Sequence, residues 1–152
     1  MADNIIAKKT EDFAVRIVKL WKYLTKSKEY EMSNQIKRSC TSIGANVVEA
    51  LFAQSKKDFV SKMNIALKEC AETQYWLRLL HRTEFLTDAE FSLLNSDADE
   101  IGRILSSIIN SAKKTINNNN NNNNDDVFVI DDEEQKHLKL LITHYSLLIK
   151  IL

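Results

Sequence analysis

Apolar residues recur every three or four positions along most of this chain, and that spacing predicts helices. Phe13, Ile17, Leu20 and Leu24 share one face of a first helix from about Lys9 to Ser27. Val15, Val18 and Trp21 widen that face, while Lys19, Lys22 and Lys26 lie mostly off it. A second helix is expected from about Glu31 to Ala53, with Met32, Ile36, Ile43, Val47 and Leu51 on its core face. Ser55-Lys-Lys-Asp58 reads as a capping box opening a third helix that runs to about Arg82. Its seam is Phe59, Met63, Ala66, Cys70, Thr73, Leu77 and Leu80, a coiled-coil-like alternation of four and three, flanked by Val60, Leu67 and Trp76. Thr87-Asp-Ala-Glu90 is a second capping box. It opens a fourth helix from about Asp88 to Lys114, with Phe91, Leu94, Ala98, Ile101, Leu105 and Ile108 facing inward. Four amphipathic helices with short connections predict an all-α, antiparallel up-down-up-down four-helix bundle over residues 1–116.

The pattern then stops. Asn117 to Asn124 is an unbroken asparagine run followed by Asp125 and Asp126. Such a tract buries no apolar surface, so residues 117–126 read as a low-complexity linker and a domain boundary. In the tail, residues 127–152, Val127-Phe-Val-Ile130 is a short apolar run. Leu138, Leu141, Tyr145, Leu148 and Leu152 then step by three and four, which predicts a tethered fifth helix in need of a partner, against the plainer reading of a tail with no fixed place.

Composition agrees with helices. The 152 residues include no proline and two glycines, Gly44 and Gly102, too few for a glycine-rich phosphate loop. Glycine costs roughly 1 kcal/mol inside a helix, so Gly44, beside Ser39, Ser42 and Ala45, predicts a tight helix–helix contact. Net charge is zero. Residues 1–116 carry eighteen Lys and Arg against fifteen acids, and residues 117–152 carry three against six. The head is mildly basic and the tail acidic. No segment approaches the ~20 apolar residues of a membrane span, and the N-terminus lacks the pattern of a signal peptide. The expected compartment is the cytoplasm, with Cys40 and Cys70 as reduced core residues.

Catalytic chemistry finds little support. His81, His137 and His144 lack metal-ligand spacing, so no metal or cofactor is expected. Asp97, Asp99 and Glu100 read as solvated charge on a polar helix face. No catalytic residues are expected, nor a small-molecule substrate; the chain reads as not an enzyme. Asn46 and Glu49 sit among Val47, Val48 and Ala50, and the favoured reading is a hydrogen bond that fixes helix register, the other a ligand-facing pair. Lys37, Arg38, Lys56 and Lys57 are the candidate nucleic-acid contacts, in a basic set with Lys62 and with Arg78 and Arg82 near the far end of the third helix, because such side chains neutralise phosphates without reading sequence.

The segment from Gln35 to Leu77 resembles the 23S rRNA intervening-sequence (S23) protein family. Gln35, Lys37, Arg38, Ser39, Ser42, Ile43, Ala45, Asn46 and Glu49 fall on one family pattern. Ser55, Asp58, Phe59, Ile65, Ala66, Cys70 and Glu72 follow a second. The resemblance spans about residues 8 to 116, although Phe52-Ala-Gln54 stands where the family often carries a basic residue. It implies an up-down bundle assembling as a homopentamer. It also links the chain to accessory proteins of diversity-generating retroelements, which bind a reverse transcriptase and nucleic acid through a basic surface. The expectation is a non-enzymatic, oligomeric RNA-binding module, with a protein–protein scaffold lacking nucleic-acid affinity as its rival. Salt separates the two, because phosphate binding weakens steeply as salt rises and apolar docking does not.

Overall fold

Asn4 sets the first boundary. Its side-chain Oδ1 accepts from the Ala7 backbone N–H at 3.3 Å, so helix α1 (Ile5–Lys26) begins a turn earlier than the apolar spacing suggests. The computed structural model describes residues 4–120, which form α1, α2 (Glu31–Leu51), α3 (Lys56–Arg82) and α4 (Asp88–Asn120), with no strand among the described residues. The expected linker beyond Asn120 and the tail helix of residues 127–152 lie outside them.

The Thr87 capping box closes, and the Ser55 box forms with its return bond shifted one residue back, to Gln54. Ser55 Oγ accepts from the Asp58 N–H at 3.1 Å, and the Asp58 carboxylate accepts from the Gln54 N–H at 3.2 Å. Thr87 Oγ1 accepts from the Glu90 N–H, while the Glu90 carboxylate accepts from the Thr87 N–H at 2.9 Å. Helix α2 is capped differently. The carboxylate of Glu29, itself buried, accepts from the Met32 and Ser33 N–H groups at 2.9 and 2.7 Å.

Two helices end in the same motif. Lys28 and Glu84 both adopt φ 63°, the left-handed region. Each follows a helix whose last carbonyls it helps satisfy: Lys28 N–H to Thr25 and Glu29 N–H to Leu24, then Glu84 N–H to His81 and Phe85 N–H to Leu80. These are Schellman ends without glycine.

The expected seam of α3 is buried at every position, from Phe59 to Leu80. Phe13, Ile17 and Leu24 of α1, Ile36, Ile43 and Val47 of α2, and Leu94, Ala98, Ile101, Leu105 and Ile108 of α4 meet it in one core. Two expected core positions face outward instead: Val15 is 50% exposed and Leu51 41%. Val15 lies two positions before Ile17, on the far side of α1, and Leu51 is the last residue of α2, past its packing. Helix α4 also runs past Lys114 into the asparagines. Ile108, Ile109, Ala112 and Ile116 carry its core stripe forward, and asparagine costs less than about 0.7 kcal/mol per helical position once a helix is under way.

Helix α2 packs on α1 and α3, and α4 packs on α3 and more thinly on α1. Gly44 does meet α1, but loosely. A Cβ there would lie 3.5–3.9 Å from Thr10, ordinary contact, so the approach is close without demanding glycine.

Candidate functional site

The four basic residues singled out by sequence do not gather in one place. Arg38 reaches Glu72 of α3 at 3.7 Å. Lys57 precedes Glu72 by fifteen positions on that helix. The two lysines at the start of α3 therefore stand about 22 Å along its axis from the Arg38 contact. Lys37 lies with its ammonium 3.8 Å from the centre of the Trp21 ring, whose indole N–H donates to Asn34 Oδ1 at 3.0 Å. A cation over an indole face is a favourable contact that ties α2 to α1. Asn46 donates to the Ser42 carbonyl at 2.9 Å, within its own helix. Glu49 pairs with Lys62 across the α2–α3 seam at 2.5 Å, and that carboxylate holds the Lys62 ammonium above its ordinary pKa.

A basic surface that sequence reading passed over lies mainly on α1; Lys37 borders it over Trp21, while Arg38 turns toward Glu72 of α3. Residues 16–38 hold seven Lys and Arg against two acids, Glu29 and Glu31, and Glu29 is consumed in capping α2. On α1, Lys19, Lys22, Tyr23 and Lys26 recur at i, i+3, i+4 and i+7, so they share one face, opposite Ile17 and Leu24. All four are exposed. Lys28 and Tyr30 extend this surface through the α1–α2 turn. Among the described residues, none of Lys19, Lys22, Lys26 and Lys28 has an acidic partner, in contrast to Lys9, Arg16, Arg38 and Lys62. The sequence signal was present: no acid falls between Asp12 and Glu29.

Other chemistry is spent on structure. Asp97 pairs with Arg16 and Glu100 with Lys9 at 2.8 Å, so these carboxylates bind α4 to α1 rather than standing free. They line a cleft of about 150 Å³ in which both cations are already paired. Asp99 accepts from Gln74 of α3. His81 lies 2.7 Å from Asp88 and stacks on Phe91 at 4.4 Å, joining α3 to α4. Burial pushes the Cys40 thiol far up, with Cys70 adding to it. Burial, then Asp99, pushes Cys70 up to about 11. Neither is a thiolate at neutral pH, so neither is poised as a nucleophile. Among the described residues no three His, Cys, Asp or Glu side chains could hold a metal ion, and no helix is long and apolar enough to cross a membrane.

Comparison with known proteins gives a consistent picture. A family model described as 23S rRNA-intervening sequence protein matches residues 2–107. The chain is also similar to a crystal structure from Bacteroides thetaiotaomicron, described as a protein with unknown function from the S23 ribosomal protein family. The two share 54% identity with a TM-score of 0.68, over 69% of this chain and 98% of the other. No protein of curated function matches.

Proposed function

The chain belongs to the 23S rRNA-intervening sequence protein family, and from that membership we propose that it is a non-enzymatic, oligomeric helical module of the cytoplasm that binds RNA, or an RNA-associated protein such as a reverse transcriptase, through a basic surface. The observation that carries the reading is the second half of α1, acid-free after Asp12, with the unpartnered Lys19, Lys22 and Lys26, continued by Lys28 in the turn and bordered by Lys37 of α2. Lysines without carboxylate partners release counterions when phosphates replace them, and that release drives nucleic-acid binding. Lys56 and Lys57 form a separate basic group at the far end of the α2–α3 pair.

The proposed architecture is an antiparallel up-down-up-down bundle. Cross-helix partners support it, because their numbers run in opposite directions. Arg38 and Glu49 of α2 meet Glu72 and Lys62 of α3. Cys70 and His81 of α3 meet Ala98 and Asp88 of α4. Thr10 and Trp21 of α1 meet Gly44 and Asn34 of α2.

Self-association, with a pentamer as the expected number, has support in Val48, Leu51 and Phe52, large apolar side chains left exposed around the end of α2. Several copies would multiply a modest basic patch into a substantial field. The same apolar patch would serve the rival reading, a scaffold that docks a protein partner. Light scattering on size exclusion, followed by RNA titrations at rising salt, tests the proposal. A multimer whose RNA affinity falls steeply with salt supports it. A monomer with no RNA affinity at low salt overturns it and leaves the scaffold.

A further inference from the structure

We propose that the outer face of α1 and the turn after it form a binding site for single-stranded RNA, in which lysines hold phosphates and Tyr23 and Tyr30 stack on unpaired bases. The inference rests on the RNA-binding reading and narrows it to a ligand class. It starts from where the aromatic rings are. Tyr23 is 59% exposed and stands between Lys19 and Lys26 on the lysine-bearing face. Tyr30 is 51% exposed and follows Lys28 by two residues. No hydrogen bond occupies either phenol among the described residues. Trp21 differs: the Lys37 ammonium covers one face of its ring, and its N–H is taken by Asn34. Trp21 therefore holds α1 to α2, and the two tyrosines are the rings left facing solvent within the basic surface.

Large aromatic rings standing in water beside unpaired lysines fit the single-strand mode of recognition. Every base offers a π-face once it is unstacked, whereas a duplex keeps its bases stacked inside and offers a protein mostly phosphates and hydroxyls. Lys19 to Lys26 spans about 10 Å of helix, a short track suited to a few phosphates of one strand. Four lysine contacts to a single strand give an expected slope of about −3 for log affinity against log salt.

The test uses the full chain and a short fluorescein-labelled oligouridylate, alone and annealed to oligoadenylate, with anisotropy read at several salt concentrations. The single strand should bind about tenfold tighter than the duplex. Tyr23→Leu and Tyr30→Leu should each weaken single-strand binding about fivefold or more, the loss of one stacked base. Tyr23→Phe, which keeps the ring, should bind as the parent does. Both tyrosines are exposed, so thermal melts of the variants should match the parent and exclude misfolding. Equal or tighter duplex binding, or leucine variants that bind unchanged, overturns the inference while RNA binding itself stands. Absence of binding to either form at low salt removes both readings together.

Discussion

The hydroxyls of Ser39 and Thr73 sit 2.9 Å apart, both fully buried, between α2 and α3. Thr73 Oγ1 is also 2.8 Å from the Glu69 carbonyl, and Ser39 Oγ donates to the Ile36 carbonyl at 3.3 Å. The pair links two helices through polar groups that have no access to water. Removing one hydroxyl leaves the other with a poorer environment, whereas removing both leaves an apolar contact. Ser39→Ala and Thr73→Val should each cost about 1–2 kcal/mol, and the double variant less than the sum. Urea denaturation of all four proteins reads the coupling directly. Additive losses would mean that the hydroxyls do not act as a pair.

The left-handed residues Lys28 and Glu84 carry a conformational cost that glycine avoids. Lys28→Gly and Glu84→Gly should each stabilise the fold by about 0.5–1 kcal/mol, seen as a rise of a few degrees in Tm. A fall in Tm would show that those side chains contribute more than their backbone strain costs.

Gly44→Ala should also stabilise, by up to about 1 kcal/mol, because the new methyl meets Thr10 at ordinary contact distance and the helix gains propensity. Gly44→Leu should destabilise, since the same space does not hold a branched side chain. Chemical denaturation of both variants checks the pair. A destabilised alanine variant would restore the tight seam that the sequence suggested.

Backbone and side-chain hydrogen bonds from Thr87 hold the Glu90 carboxyl below its ordinary pKa. The stabilisation from this capping contact is therefore complete above the ordinary carboxylate range. It is lost as pH falls through the lowered value. Glu90→Gln should lower Tm slightly at neutral pH, and the difference from the parent should vanish in acid. Glu90 is exposed, so the effect is small. A Tm difference independent of pH would assign it to packing rather than charge.

Much of this fold was legible because burial and spacing agree. On α3, every residue of the alternating seam is buried, and Ser55 and Thr87 both cap the helices that their spacing nominates. What escaped depends on partners far away in sequence or on backbone geometry without a residue signature. Asp97 reads as solvated charge until Arg16, eighty-one positions away, is beside it. Lys28 and Glu84 adopt a conformation that sequence associates with glycine. Ile6 and Thr10 lengthen α1's core face backward, because tertiary contacts bury them where local spacing is thin. The candidate site was half visible. Lys37 and Arg38 were marked by a motif, but Trp21 and Glu72 engage both. The unpartnered lysines of α1 carried no motif, and their freedom becomes evident only once Glu29 is seen capping α2 and Asp97 and Glu100 pairing with Arg16 and Lys9.

The most direct test of the RNA-binding surface compares Lys22→Glu/Lys26→Glu with Lys56→Glu/Lys57→Glu for binding the same single-stranded RNA at low salt. Loss of binding in the first double variant, with a shallower salt dependence in whatever affinity remains, and near-parental binding in the second, is the expected result. Parental binding by the first, or loss confined to the second, would contradict the account and move the interface to the start of α3.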